Sequence, residues 1–141
     1  MKFKFLILFI CLWSAAILRA QPADKNDKQL IERTLQMYFD GWATGDTIKL
    51  GKAMHASCQL KTYRDGKFND VDRAKYLSYF QPHEREKGVK TKIVEIDYTA
   101  NIASATTQIL TDKYLFTDYL HLIKTDDGWV IVDKIAYRFD K

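Results

Sequence analysis

The sequence predicts an α+β domain in which helices pack on a strongly bent antiparallel sheet. Two helical segments separated by a glycine come first, two Asp-Gly turn signals follow, and four strand-like segments close the chain. The resulting order is helix, helix, small hairpin, helix and four-stranded meander. This order is typical of a sheet that wraps around helices on one of its faces.

The first twenty residues have the pattern of an export signal. Lys2 and Lys4 precede an apolar run over residues 5–13, and small residues follow up to Ala16 and Ala20. The apolar run is too short to remain in a bilayer as a helix, so we expect no stable membrane insertion. We expect cleavage after Ala20, with Ala16 as the alternative. The product would be a periplasmic or extracellular protein with a single domain, residues 21–141.

Composition argues against several kinds of partner and site. The formal charge of +4 becomes 4 − 3 = +1 when Lys2, Lys4 and Arg19 leave with the signal, so no basic excess indicates a nucleic-acid partner. Cys58 then stands alone, and we expect a small buried residue rather than a nucleophile. Three scattered histidines lack the spacing of a zinc site, and no phosphate loop or dinucleotide fingerprint is present. We therefore expect no metal and no cofactor.

The first helix is predicted from about Lys28 to Thr44, because apolar residues recur along one face at spacings of four and three. Gly45 can adopt the left-handed conformation that ends a helix, and Asp46 can cap the short helix that follows. His55 is predicted at the end of this second helix. The apolar face of the first helix consists of Ile31, Leu35, Tyr38 and Trp42.

A small hairpin and a third helix come next. Asp65-Gly66 predicts a tight turn after a strand at residues 59–64. Asp70 or Asp72 can cap the third helix, which Gln81-Pro82 ends.

The remainder predicts four strands joined by short connections. Asn101 is expected at positive φ between the first two of them, and Asp127-Gly128 is a second hairpin signal. Uninterrupted alternation places Asp133 on the same face of the last strand as Trp129 and Ile131. The predicted strands span residues 89–99, 103–110, 114–124 and 129–139.

Four motifs in this order, GWATGD, MHASC, YRDGKF and DYLHLIKTDDGWVIVDKIAY, resemble the putative lumazine-binding family. This family belongs to the nuclear-transport-factor-2-like (NTF2-like) superfamily of SnoaL-like and ketosteroid-isomerase-like domains. The resemblance covers nearly all of the mature chain. It implies a cone-shaped, cystatin-like fold that forms a pocket, in a protein that is typically exported. Because the superfamily contains isomerases, dehydratases, cyclases and non-enzymatic domains, the resemblance implies a scaffold and not a reaction.

The strand at residues 114–124 carries the residue of greatest chemical interest. Alternation separates Asp118, among large apolar side chains, from His121 on the opposite face. If the first face lines the cone, Asp118 could act as a general acid or base. The alternative is a solvent-side aspartate, or one paired with a lysine such as Lys134. The resemblance implies pocket candidates at Tyr38, Trp42, His55, Tyr63, Tyr79, Asp118 and Lys134.

Three functions fit these residues. The first, which we expect, is an exported binder of a small apolar or aromatic ligand. Tyr38 and Trp42 could stack on a flat ring, and the alternative is that both only fill the core. The second is an isomerase or dehydratase in which Asp118 or His55 moves the proton. The third is a non-catalytic module that forms a homodimer through the outer sheet face. That face carries Thr117, Tyr119 and His121.

Overall fold

Within residues 25–141, three helices and six strands follow one another in the predicted order, which confirms the α+β fold class. The computed structural model describes residues 25–141, so the export signal predicted at residues 1–20 lies outside the described residues. The elements are α1 (Lys25–Thr44), α2 (Thr47–Ala53), β1 (Met54–Arg64), β2 (Lys67–Asp72), α3 (Arg73–Leu77), β3 (Lys90–Thr99), β4 (Ile102–Leu110), β5 (Tyr114–Thr125) and β6 (Gly128–Asp140).

The strands form one sheet in the order β2-β1-β6-β5-β4-β3. β3 to β6 make the predicted antiparallel meander, and β1 and β2 make the predicted hairpin. β1 and β6 pair in parallel, so the sheet is mixed rather than wholly antiparallel. The long connection between these two strands permits this pairing, whereas a tight hairpin would impose the antiparallel one.

The break between α1 and α2 has the predicted geometry. Gly45 has φ +61, and a Cβ at this position would lie 1.9 Å from the carbonyl oxygen of Gln81. No other residue fits there without moving the chain. The Asp46 carboxylate accepts hydrogen bonds from the backbone N–H groups of Ile48 and Lys49, at 3.0 Å each. This cap begins α2 and holds it against α1.

The second helix is shorter than predicted, and this moves His55. α2 ends at Ala53, and Met54 already has extended backbone (φ −111, ψ 129) because it pairs with Ile131 of β6. His55 therefore lies in β1, and its Nδ1 is 2.7 Å from the Ser57 hydroxyl. The prediction that it ends a helix is wrong, because pairing with a distant strand overrides local helical preference.

Two turns refine the remaining predictions. Asp72, one of the two predicted caps, accepts a hydrogen bond from the Lys75 N–H at 2.7 Å and begins α3. Between β3 and β4 the positive φ belongs to Ala100 (φ 52) and not to Asn101. The Asn101 carbonyl instead accepts a hydrogen bond from the Lys124 N–H at 2.8 Å, which ties this turn to β5.

A β-bulge in β6 changes which side chains face the helices. Leu122 of β5 pairs with Ile131, and His121 pairs with Asp133, so Val132 is an extra residue without a cross-strand partner. An extra residue reverses the alternation of all side chains beyond it.

The bulge corrects the prediction for the last strand. Trp129 and Ile131 are buried before the bulge, whereas Lys134 is the buried residue after it. Asp133 and Ile135 face away from the helices. The prediction that Asp133 shares a face with Trp129 and Ile131 is therefore wrong, because it assumes an uninterrupted two-residue period. The same displacement carries Lys134 to the inner face of the sheet.

Candidate functional site

A cavity of about 220 Å³ lies between α1, α3 and the strands β1, β5 and β6. It opens on the inner face of the sheet, beyond the β6 bulge. Its lining residues come from five elements that are far apart in sequence. They are Trp42, Leu60, Thr62, Tyr63, Arg64, Tyr76, Phe116, Asp118, Lys134, Ala136, Tyr137 and Arg138.

A buried ion pair between Asp118 and Lys134 forms part of the cavity lining. Asp118 is 0% exposed and Lys134 is 4% exposed. The Lys134 ammonium contacts Oδ1 of the carboxylate, and the Tyr38 hydroxyl donates a hydrogen bond to Oδ2 at 2.9 Å. Both carboxylate oxygens thus have partners, as a buried charge requires.

Two tyrosines surround this carboxylate. Tyr38 lies behind Asp118, outside the cavity lining, while Tyr76 of α3 lines the cavity. Burial raises the pKa of both phenols, and the negative charge of Asp118 raises each further. Both therefore remain protonated at neutral pH and can donate hydrogen bonds.

The environment of Lys134 opposes its positive charge. Burial lowers the pKa of the ammonium, and the charge of Asp118 and its hydrogen bond offset this only in part. The ammonium also lies 5.3 Å from the centre of the Tyr38 ring, where the π face favours a cation. Lys134 therefore loses its proton more readily than an exposed lysine does.

Aromatic side chains form the apolar wall. The rings of Trp42 and Phe116 meet edge to face, with centroids 5.4 Å apart, and Phe116 meets Tyr114 in the same way at 6.0 Å. Tyr63 is largely exposed at the rim. A flat apolar ligand in this cavity would contact aromatic rings on one side and the ion pair on another.

Two arginines among the lining residues share one carboxylate. Asp140 accepts from Arg64 and from Arg138, each at 2.9 Å. The Arg138 guanidinium also lies 4.3 Å from the centre of the Tyr114 ring. Arg138 is therefore held on two sides, by Asp140 through its Nε and by the Tyr114 ring.

The structure brings together four of the candidate residues in the cavity lining: Trp42, Tyr63, Asp118 and Lys134. Tyr38 reaches the site indirectly, through its hydrogen bond to Asp118. Tyr79 and His55 are outside the lining. Tyr79 is exposed, with the Lys75 ammonium 5.4 Å from its ring centre, and His55 is exposed on β1.

Sequence reasoning missed several lining residues, for different reasons. Phe116 shares the face of Asp118, so alternation along β5 could have identified it. Tyr76 belongs to α3, which at five residues is too short for periodicity to show the direction of its side chains. Arg138 and Ala136 follow Lys134 beyond the bulge, and no local sequence signal marks the bulge.

Cys58 is buried, and residues 25–141 contain neither a metal-binding cluster nor a membrane-spanning helix. No group of three or more histidine, cysteine or acidic side chains in this range is placed to hold a metal ion. Burial, followed by the charge of Asp133, raises the pKa of the Cys58 thiol to about 11, so it stays protonated. No helix in the same range has the length and hydropathy that crossing a bilayer demands.

Solved structures with the same fold come from several bacteria. An NTF2-like protein of unknown function from Shewanella baltica OS155 is 21% identical, with a TM-score of 0.76 over 84% of this chain and 98% of that one. Another, from Silicibacter pomeroyi DSS-3, is 15% identical, with a TM-score of 0.72 over 79% and 95%. A ketosteroid isomerase-like protein from Erwinia carotovora atroseptica SCRI1043 is 11% identical, with a TM-score of 0.64 over 84% and 100%.

These structural similarities establish the fold, and a match to a family model identifies the family. No curated protein matches this chain. The family described as "Putative lumazine-binding" matches residues 26–137, which include every element from α1 to most of β6. The chain therefore has the NTF2-like fold and belongs to the putative lumazine-binding family.

Proposed function

We propose that this protein binds a small, flat, apolar or aromatic ligand in the cavity between α1, α3 and the sheet. The observation that carries the proposal is a cavity with aromatic walls and a buried ion pair. Apolar pockets with a few converging polar groups are typical of small-molecule sites. The family description supports the same class of ligand, since lumazine is a flat heterocycle.

Cavity size limits the ligand. A volume of about 220 Å³ is smaller than the roughly 300–1,000 Å³ of sites for drug-sized molecules. One ring, or two fused rings, would suit it better than a steroid or an entire flavin. The Tyr76 hydroxyl and the Lys134 ammonium offer donors to such a ring, and Asp118 offers an acceptor.

Thermal unfolding in the presence of ligands tests the proposal. The chain from Gln21 onward is mixed with a panel of flat heterocycles, including lumazine and flavins, and with steroids. A compact heterocycle is expected to raise the melting temperature saturably, because it binds only the folded state. Trp42→Ala should abolish this rise. Phe68→Ala should preserve it, because Phe68 is an exposed aromatic residue of β2 outside the cavity.

An acid–base enzyme is the second candidate, because a buried carboxylate and protonated phenols meet at the site. Asp118 would move the proton and Tyr76 would stabilise the developing oxyanion. His55 lies outside the cavity lining and does not support this chemistry. Exchange of ketone α-protons for deuterium, followed by NMR, tests the hypothesis. Equal rates for the unmodified protein and Asp118→Asn would reject it.

We also propose that the outer sheet face makes a homodimer. Large apolar side chains stand exposed on neighbouring strands, and they pair across the sheet as Ile102 with Ile123 and Tyr119 with Ile135. Contiguous exposed apolar surface is typical of protein interfaces. Sedimentation velocity should show a dimer, and Ile135→Asp should convert it to a monomer. A monomer at all concentrations would reject the interface.

We also propose that the protein is exported. The charged, apolar and small-residue segments at residues 1–20 support secretion after cleavage. Expression in a bacterium with fractionation should place the protein outside the cytoplasm. N-terminal sequencing distinguishes cleavage after Ala20 from cleavage after Ala16.

A further inference from the structure

We propose that Lys134 is a reactive amine that forms an imine with a small aldehyde or ketone entering the cavity. The inference rests on the proposed function, because the carbonyl compound must occupy the same cavity. It goes beyond binding, since it assigns a covalent step to one side chain and names the chemical class of the ligand.

Position is the first support. Among the described residues that line the cavity, Lys134 is the only lysine. The bulge at Val132 directs it inward, where 4% of the residue is exposed, and its ammonium lies against Asp118 and the Tyr38 ring. A small ligand in the cavity would therefore be held beside this nitrogen, and proximity of this kind is a large part of catalysis.

Protonation is the second support. An ammonium has no lone pair, so a lysine nucleophile must first lose a proton. Burial lowers the pKa of Lys134, and the adjacent Asp118 carboxylate is placed to accept the proton. The raised pKa of Tyr76 keeps its phenol protonated, so it can donate a hydrogen bond to the carbonyl oxygen of the ligand.

The reaction balances with these groups alone. Asp118 takes one proton from the ammonium, and the free amine attacks the carbonyl carbon. A C–N bond forms while the C=O π electrons move to oxygen, and transfer of a nitrogen proton to this oxygen gives a neutral carbinolamine. The protonated Asp118 then returns its proton to the hydroxyl, which leaves as water, and the nitrogen lone pair forms the C=N bond. The products are a protonated imine and one water, with no oxidant or reductant.

The aromatic wall narrows the ligand class. Trp42 and Phe116 lie on the lining with Lys134, so an aldehyde on a single aromatic ring could contact both the wall and the amine. Benzaldehyde is the simplest probe of this kind, and its size suits a cavity of about 220 Å³.

A second lysine supplies an internal control. Lys61 of β1 also pairs with an aspartate, Asp133, but the pair lies on the opposite face of the sheet. Its hydrogen bond to Asp133 raises the pKa of Lys61, and Lys61 does not line the cavity. Comparing the two lysines in one protein separates the effect of the cavity from that of a carboxylate partner.

Reductive trapping tests the proposal. The chain from Gln21 onward is treated with benzaldehyde and sodium cyanoborohydride near neutral pH, and each lysine is quantified by peptide mass mapping. We expect Lys134 to be benzylated several-fold faster than Lys61. Benzylation of Lys134 no faster than that of Lys61 would overturn the proposal.

Two variants sharpen the test. Ala136→Leu fills the cavity and leaves Lys134 in place, so benzylation at Lys134 should fall while that at Lys61 is unchanged. Lys134→Arg keeps the positive charge beside Asp118 but should abolish benzylation at position 134. If Lys134→Arg does not fold, two measurements still test the proposal. They are the ratio of the benzylation rates at Lys134 and Lys61, and the effect of Ala136→Leu on that ratio.

Thermal unfolding without the reductant distinguishes the two proposals. A heterocycle that stabilises the protein, combined with unselective benzylation, would leave the binder intact and reject the imine. Selective benzylation of Lys134 would support both.

Discussion

Lys134–Asp118 and Lys61–Asp133 are the same chemical pair on opposite faces of one sheet. The side chains of the first pair are 5% and 1% exposed, and those of the second are 31% and 26% exposed. Asp133 and Lys134 are adjacent in β6, so a single residue step separates the solvent side from the cavity.

The two lysines consequently differ in their acid–base behaviour. Burial lowers the pKa of Lys134 although Asp118 opposes the shift, whereas a hydrogen bond to Asp133 raises the pKa of Lys61. The nature of the partner is the same in both cases. Because both lysines have a carboxylate partner, the opposite directions of their pKa shifts reflect desolvation, which is the largest effect only at Lys134.

Removing one lysine from each pair tests the role of burial directly. Lys134→Met leaves Asp118 as a buried, uncompensated charge, and breaking such a pair costs about 3–5 kcal/mol. Lys61→Met is expected to change the free energy of unfolding little, because water replaces the lost partner. Urea unfolding measures the loss in free energy of unfolding for both variants. Equal losses would contradict the role assigned to burial.

The Tyr38 hydroxyl should contribute less to the free energy of unfolding than the Lys134 ammonium does. Tyr38→Phe removes the hydrogen bond to Oδ2 of Asp118, and hydrogen bonds to charged groups contribute about 1.5–3 kcal/mol. Tyr79→Phe is the matched control, since Tyr79 is exposed and lies outside the cavity lining. Urea unfolding should separate the two variants, and a control as unstable as Tyr38→Phe would contradict this account.

The smallest predicted effect is the pH dependence of the free energy of unfolding, and its sign differs between the two lysines. The folded pKa of Lys134 is lowered from 10.5, so between that pKa and pH 10.5 the unfolded chain binds the extra proton and stability rises with pH. The folded pKa of Lys61 is raised, so its contribution is complete below pH 10.5 and is lost as pH rises through the folded value.

Urea midpoints measured on both sides of pH 10.5 check these signs. Lys134→Met should remove a positive slope below pH 10.5, and Lys61→Met should remove a negative slope above it. Tyr38 and Tyr76, whose pKa is raised, add the same alkaline loss to all the proteins compared. Parallel profiles for the two variants would contradict the assignment.

Local signals were reliable where a few neighbouring residues determine the structure. Gly45 and Asp46 fix the break between the first two helices, because a left-handed residue and a side-chain cap act within one turn. Asp65 and Gly66 both have positive φ in the first hairpin, as the dipeptide predicts. At the second hairpin only Gly128 has positive φ, so the Asp127-Gly128 dipeptide predicted the position of the turn but not its type.

Candidate site residues were predictable only in part. Asp118 and Trp42 could be singled out, because a carboxylate in an apolar strand and an aromatic residue on a helix face are visible in the sequence. Whether Asp118 faced solvent, a lysine or a cavity could not be decided, and the structure shows both a lysine partner and a cavity. Tyr76 and Arg138 join the site through elements whose orientation depends on distant strands.

By itself, the sequence determined the order of the elements, the helix break, the first hairpin turn and the fold class. Capping, turn preference and hydrophobic periodicity act over a few residues, so they can be recognised without coordinates. Only the tertiary structure decided that Val132 is an extra residue, that β1 pairs in parallel with β6 and that Lys134 meets Asp118 beside a cavity. These features depend on the register between strands distant in sequence, and register is fixed by packing of the whole core.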